Sequence, residues 1–153
     1  FNNIGCASCH MPTLPLKSLM FVEPGPLNTE ISTTIVESKK TLVVNLEDYV
    51  SKLDKDEDGN YLIPIWSDLK RHDMGSKLDN ERPLQKGVPT NYWLTKKLWG
   101  FYSEPPFLHH GRANLLNDVI EMHQGDAKIS SDAYFELDSS EQQYLIEFLK
   151  SFK

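Results

Sequence analysis

The sequence of 153 residues predicts a mainly α domain with long irregular loops and one small β insertion. Two observations predict the helices: apolar residues recur at helical spacing in "NLLNDVIEMHQG" (114–125) and in "DSSEQQYLIEFLKSFK" (138–153). A third observation predicts the insertion, because β-branched and aromatic residues concentrate between positions 33 and 66. The length suits one folding unit, so we expect residues 1–153 to form a single domain.

The first predicted helix has signals at both ends. Asn114 is a favourable N-cap, and Gly125 can end the helix in the left-handed conformation. One face carries Leu116, Val119 and Ile120, and His123 continues that face.

The second predicted helix lies at the end of the chain and is expected to close the domain. Ser139 and Gln142 match a capping box. Its expected buried stripe contains Tyr144, Leu145, Phe148, Leu149 and Phe152.

Three short strands are expected within the insertion at 33–66. They are "TTIV" (33–36), "TLVVNL" (41–46) and "YLIPIW" (61–66), and Pro64 favours a sheet edge for the third. Four prolines predict irregular chain over residues 11–34. Residues 80–107 are rich in Pro, Gly and large aromatic side chains, which predicts a long ordered loop that wraps around something.

Composition excludes several classes of function. The formal net charge of −6 and the pI near 5.3 argue against nucleic-acid binding and favour a basic partner, if the partner is charged. No apolar run has the length that a membrane-spanning helix needs. The chain begins with Phe1, without a basic leader or an apolar signal region, so we expect it to be the downstream part of a longer polypeptide.

Both cysteines lie in "IGCASCHMP" (4–12), three positions apart, and a histidine follows the second. C-x-x-C-H is the attachment sequence of c-type haem. Two thiols at this spacing can add to the two vinyl groups on one edge of a porphyrin, and the next imidazole then lies under the iron. We therefore expect Cys6 and Cys9 to bind one haem covalently, with His10 as the proximal iron ligand through Nε2.

Other roles for the cysteine pair have weaker support. A thioredoxin-like dithiol follows a strand and opens a helix, and no such strand precedes Cys6. A zinc site needs about four ligands, so zinc would require distant histidines. A disulfide between residues three apart is strained.

The second axial position of the iron decides between electron transfer and catalysis. The candidate ligands are His72, Met74, His109, His110, Met122 and His123. His123 is the first choice because it continues an apolar helix face, although a core histidine hydrogen-bonded to backbone would have the same pattern. Met74 is the second choice, since a thioether is a common sixth ligand in electron-transfer cytochromes.

With the motif in place, most of the chain resembles the second haem domain of the bacterial di-haem peroxidase superfamily. It is most similar to the branch of di-haem thiol oxidoreductases. Two stretches are distinctive, "SDLKRHDMG" (67–75) and "LHHGRANLLNDVIEMHQGDA" (108–127), and "IGCASCHMPTLP" (4–15) precedes them in the family's order. Relatives join this domain, which has a cytochrome c-like fold, to an N-terminal domain that carries another C-x-x-C-H.

The resemblance implies roles for several residues. His123 stands where relatives carry the sixth ligand of this haem. Many peroxidases have an aliphatic residue at the place of Met74, which weakens its claim as a ligand. His72 and Arg112 would hydrogen-bond haem propionates, and Trp93 belongs to an aromatic loop that shields the porphyrin.

The acidic stretch "DKDEDGNYLIPI" (54–65) begins like a calcium-binding EF-hand loop. Its twelfth position is Ile65, so the bidentate glutamate is missing, and strands replace the flanking helices. We favour a solvated hairpin turn over a Ca²⁺ site.

Two functions remain open. In the first, the chain carries one haem c and relays electrons to a catalytic haem of a di-haem, peroxidase-like oxidoreductase. In the second, its own haem is a peroxidase or thiol-oxidoreductase site with an open or labile sixth position, and His72, Asp73 and His109 are the acid/base candidates. The expected partners are an N-terminal haem domain or chain of the same enzyme and a redox partner protein. Because haem c is attached outside the cytoplasm, we expect a periplasmic location.

Overall fold

The computed structural model describes residues 1–23, 41–79, 87–103 and 105–152. The chain divides into two compact units, one formed by Leu14–Pro64 and the other by Phe1–Thr13 together with Ile65–Lys153. The second, larger unit contains the cysteine motif and both predicted helices. That the whole chain is one haem domain, with an insertion at 33–66, stays a prediction.

In the unit Leu14–Pro64, the described residues form two small antiparallel sheets and one helical turn. Strand β1 (Leu14–Leu16) pairs with β4 (Tyr61–Ile63), and β2 (Met20–Glu23) pairs with β3 (Leu42–Asn45). Helix α1 (Glu47–Val50) follows β3 directly.

In the part of the larger unit that the structure describes, there are one two-stranded sheet and three helices. Strand β5 (Arg71–Asp73) pairs antiparallel with β6 (Tyr92–Leu94), so that His72 lies opposite Trp93. The helices are α2 (Leu116–Glu121), α3 (Lys128–Glu136) and α4 (Ser139–Lys150). Single 3₁₀ turns occur at Cys6–Ser8, Ser76–Leu78, Phe101–Ser103 and Gly125–Ala127.

The core of the larger unit is built from residues of the three helices and of the segment that follows β6. Its buried members are Leu98, Leu116, Tyr134, Leu145 and Leu149. Phe1, Trp66, Phe148 and Phe152 pack against this cluster and contact one another edge-on, which holds the beginning of the chain against the last helix.

The prediction of a mainly α, cytochrome c-like fold is wrong. Helices make up 34% and strands 19% of the structure, the described residues form four short helices and three small antiparallel sheets, and the fold does not fall clearly into another class. The longest helix has only 12 residues, because Pro- and Gly-rich segments occupy much of the chain. No helix in the described part of the chain has both the length and the apolar character needed to cross a bilayer.

The first predicted helix exists but is shorter than expected. It begins at Leu116 with Leu115 as its N-cap, so Asn114 does not cap it, and it ends at Glu121. His123 therefore lies just beyond the helix. Gly125 does not end α2; it has a φ of 55° and opens the 3₁₀ turn before α3, a helix that the sequence analysis missed.

The second predicted helix is confirmed at Ser139–Lys150, but its capping box lies one residue earlier than expected. The Asp138 carboxylate accepts hydrogen bonds from the backbone N–H groups of Ser140 and Glu141, and the Glu141 carboxylate accepts from Asp138 N–H. Leu145 and Leu149 are buried as expected, whereas Tyr144 is 74% exposed.

The strand predictions are partly confirmed. The strands at 42–45 and 61–63 were expected, and the expected strand at 33–36 lies outside the described residues. Strands β1 and β2 fall in the segment predicted to be irregular. Each has only three or four residues, which is too short for an alternating pattern to be recognised.

The acidic stretch at 54–65 forms a hydrogen-bonded turn. The Asp56 carboxylate accepts from the backbone N–H and the side-chain amide of Asn60, and these hydrogen bonds lower the pKa of Asp56. Gly59 has a φ of 80°, a conformation that glycine adopts without strain. This geometry agrees with the hairpin turn that the sequence favours.

Candidate functional site

A cavity of about 440 Å³ lies within the larger unit. Its size is typical of sites for small molecules and cofactors. Six of the predicted site residues line it: Cys6, Cys9, His10, His72, Trp93 and His123. All five buried residues of the core also line it, so the core is arranged around the cavity.

The cysteine motif forms a tight turn at the cavity wall. The N–H groups of Cys9 and His10 both donate to the Cys6 carbonyl, which brings the two thiols and the imidazole to the same side. Gly5 precedes this turn with a φ of 87°, and a Cβ there would lie 2.8 Å from Ser130 Oγ. Glycine therefore serves both the backbone conformation and the close packing of the motif against α3.

His10 is held by the backbone of residue 66. Its Nδ1 lies 3.1 Å from the Trp66 carbonyl oxygen. A carbonyl can only accept, so Nδ1 donates and the lone pair of the neutral ring lies on Nε2. Burial, the largest cause, lowers the pKa of His10 to about 4, further lowered by nearby His123 and opposed by the Trp66 carbonyl.

His123 has the same arrangement. Its Nδ1 donates to the Val119 carbonyl oxygen at 2.7 Å, which again leaves Nε2 as the free acceptor. Burial lowers the pKa of His123, so this imidazole is also neutral at pH 7. Ser131 Oγ donates to the Ile120 carbonyl and fixes the end of α2 against α3.

The two thiols are free cysteines whose pKa values are raised by burial. A redox-active dithiol needs a lowered thiol pKa to supply thiolate at neutral pH. The environment of Cys6 and Cys9 therefore disfavours a thioredoxin-like role.

The β5–β6 sheet brings His72 and Trp93 to the cavity. The two residues are directly opposite in the antiparallel pair, so their side chains lie on the same face of the sheet. Trp93 Nε1 donates to the Leu78 carbonyl, and its ring stacks on His109 with 3.6 Å between centroids.

Asp68 joins His72 to the cysteine motif. Its N–H donates to the Cys9 carbonyl at 2.8 Å, and its carboxylate accepts from His72 Nε2 at 2.8 Å. Burial alone would raise the pKa of Asp68, but hydrogen bonds from Lys70 N–H and from the side chains of His72 and Thr95 lower it. Potential ligand atoms of Cys9, Asp68 and His72 lie within 4.8 Å of one another, a set that lacks the fourth ligand of a structural zinc site.

The structure separates the remaining candidates. Met74 and His109 line the cavity, whereas Arg112, His110 and Met122 are not among its lining residues. The backbone N–H of Arg112 donates to His110 Nδ1. A propionate contact from Arg112 stays a prediction.

Sequence analysis missed several residues that position the site. The backbone carbonyls of Trp66 and Val119 orient His10 and His123. Any residue at these two positions would supply such a carbonyl, so the sequence does not reveal this role. Asp68 lies inside the distinctive stretch 67–75, and its spacing of four residues from His72 could have indicated the contact between them. Asp126, whose carboxylate accepts from Asp73 N–H, had no signal of this kind.

Replacing Gly125 by alanine should destabilise the larger unit more than the same change at Gly100. Both glycines have φ values near 60°, which costs alanine about 1–2 kcal/mol. A Cβ at Gly125 would also overlap the Asp73 carbonyl oxygen, whereas a Cβ at Gly100 meets nothing within 4 Å. We expect a further loss of about 1–3 kcal/mol for Gly125→Ala, measured by denaturant unfolding. Equal losses in the two variants would contradict the close approach of β5 to the segment after His123.

Asp68→Asn should destabilise the protein in a pH-dependent manner. The pKa of Asp68 is lower in the folded state than in the unfolded state, where it is about 3.9. Ionised Asp68 therefore stabilises the fold at pH values above the unfolded-state pKa, and this contribution is lost as the pH falls through the folded-state pKa. We expect a loss of about 1.5–3 kcal/mol at pH 7 that shrinks below about pH 4. Asp132→Asn, which breaks an exposed ion pair with Lys128, is the control with a small effect. A difference from wild type that persists unchanged to pH 2 would argue against the assignment.

Comparison with known proteins identifies one family. Residues 1–152 match the model of the family described as "Di-haem oxidoreductase, putative peroxidase". No curated protein matches the chain, and no solved structure does.

Proposed function

We propose that the chain is a c-type haem domain for electron transfer, because it belongs to the di-haem oxidoreductase family. Membership of this family implies a redox role and a haem cofactor. In this proposal, the chain relays electrons to the catalytic haem of a peroxidase-like oxidoreductase. That catalytic haem would belong to an N-terminal domain or chain of the same enzyme.

The residues around the cavity fit a covalent haem. The free thiols of Cys6 and Cys9, three positions apart, both line the cavity, where they can form thioether bonds with a haem. The core residues supply an apolar surround of the kind that cofactor sites use. When bound, haem supplies a reversible one-electron iron couple.

The observation that carries the proposal is the pair of imidazoles at the cavity. His10 and His123 are both neutral, both donate from Nδ1 to a backbone carbonyl, and both keep the Nε2 lone pair for a metal. Metal-binding histidines commonly have such a hydrogen bond on the other ring nitrogen, since it fixes the tautomer and the orientation. Both rings line the same cavity.

Two imidazole ligands suit electron transfer better than catalysis. They would occupy both axial positions and keep substrate and water from the iron. They would also set a lower reduction potential than a His/Met pair, because a thioether favours the ferrous state. Met74, which also lines the cavity, is the alternative sixth ligand.

A second candidate function has its own supporting observation. His72 lines the cavity and is held by Asp68, so it is a positioned acid/base group. If His123 does not ligate, the open axial position and His72 together would suit peroxide or thiol chemistry. In either case, covalent attachment of haem c places the protein in the periplasm or an equivalent compartment.

The first test of covalent attachment is an intact mass. Protein made in a host that attaches haem c should exceed the polypeptide mass by one haem, since the chain has one C-x-x-C-H. Cys6→Ser/Cys9→Ser should lose this added mass. A colourless wild-type protein with both thiols open to alkylation would refute the assignment.

His123→Ala should convert the ferric haem from low-spin to high-spin, because it removes one of two strong-field ligands. The change is measured by the optical and EPR spectra of the ferric protein. Met74→Ala is the matched control and should stay low-spin. A low-spin His123→Ala protein would reject His123 as the ligand, and a high-spin Met74→Ala protein would assign that place to Met74.

A further inference from the structure

The sheet that carries His72 and Trp93 has a second face, directed away from them. Side chains alternate along a strand, so Arg71, Tyr92 and Leu94 lie on the face opposite to His72 and Trp93. Exposed residues flank both strands, and Thr95 N–H continues the pairing by donating to the Lys70 carbonyl. We call this surface, with its exposed flanking residues, the outer face; it comprises Leu69, Lys70, Arg71, Asp73, Tyr92, Leu94, Lys96 and Lys97.

Apolar side chains are exposed on the outer face. Leu69 is 53% exposed, Leu94 54% and Tyr92 40%. Leu69 also has a φ of 56°, which is rare for a residue other than glycine, asparagine or aspartate. A strained backbone that presents a large apolar side chain to solvent has no evident benefit for packing, and such outliers concentrate at functional sites.

Four cations accompany these apolar groups, although the whole chain has a net charge of −6. In the described residues, Lys70, Arg71 and Lys96 have no ion pair. Lys77, Lys128 and Lys150, in contrast, pair with Glu121, Asp132 and Glu147. Asp73 is the acidic residue in the strands, and its carboxylate already accepts from Gly75 N–H and the Asn91 side chain. Among the described residues, the outer face therefore carries four cations against one carboxylate, that of Asp73.

The outer face is close to the cavity. Leu94, Lys96 and Lys97 belong both to this face and to the cavity wall. A partner on the outer face would thus be separated from the cavity by a single layer of sheet.

We propose that the outer face is the docking surface for an acidic electron-transfer protein. This inference rests on the electron-transfer role proposed above and adds to it the site and the charge of the partner. Net charge alone favours a basic partner, but the local charge selects an acidic one. With haem bound, the reduced partner would give up one electron in each encounter, and the haem iron would accept it and change from ferric to ferrous. A small face of apolar and charged groups matches the limited interfaces of transient redox complexes.

The test measures reduction of the haem-loaded protein by stopped flow with two reductants. Reduced flavodoxin, an acidic redox protein, is the probe for docking, and reduced lumiflavin, a small uncharged reductant, is the probe for intact electron transfer. Lys70→Glu/Arg71→Glu reverses two charges on the outer face, at residues that do not line the cavity. Lys128→Glu/Lys150→Glu makes the same net change on α3 and α4.

We expect the Lys70→Glu/Arg71→Glu protein to react with flavodoxin at least about tenfold more slowly at low ionic strength. Its rate should no longer fall as salt is added, whereas the wild-type rate should fall. The control variant should stay within about twofold of wild type. Asparagine tolerates the positive φ at position 69, so Leu69→Asn removes the exposed apolar side chain and keeps the backbone conformation. This variant should slow the reaction with flavodoxin without changing its salt dependence.

Several outcomes would overturn the docking proposal. Equal flavodoxin rates in wild type and the Lys70→Glu/Arg71→Glu protein would do so, provided that lumiflavin reduces both. The proposal would also be overturned if this double variant abolished self-association of the protein without flavodoxin, or its binding to anionic lipid vesicles, while the rate with flavodoxin stayed unchanged. Failure of lumiflavin to reduce the wild-type haem would instead refute the electron-transfer role itself.

Discussion

The hydrogen bond from His10 Nδ1 to the Trp66 carbonyl is the contact on which the larger unit depends. It fixes the tautomer and direction of the imidazole, and backbone hydrogen bonds from residues 66 and 68 to the motif segment reinforce it. The Trp66 ring packs against Phe1, Phe148 and Phe152. Its φ of 54° is uncommon for tryptophan, so these contacts hold a backbone conformation that the residue would not adopt alone.

The arrangement of the core follows from the same constraint. Leu98, Leu116, Tyr134, Leu145 and Leu149 are the buried cluster, and each of them also lines the cavity. Folding of this unit and formation of the site are therefore one process, because the side chains that stabilise the helices are those that shape the site. The helices can be short because they pack around one central cavity and do not need to pack against one another along a long interface.

Sequence patterns predicted the chemistry of the site better than the architecture around it. The C-x-x-C-H spacing and the apolar face ending in His123 identified residues that the fold brings to one cavity. The fold class could not be predicted, because strands of three or four residues give almost no periodic signal. The helix at 128–136 was missed because only Ser131 and Tyr134 are buried along it, so its apolar face is weak. Backbone carbonyls that orient His10 and His123 leave no trace in the sequence.

The pairing of β5 with β6 gives each strand two distinct sides, one at the cavity and one at solvent. Since side chains alternate with a period of two, adding or removing one residue in either strand would exchange these sides. His72 or Trp93 would turn outward and a cation or leucine inward. The spacing between Asp68 and His72, and between Trp93 and Leu98, therefore tolerates no insertion.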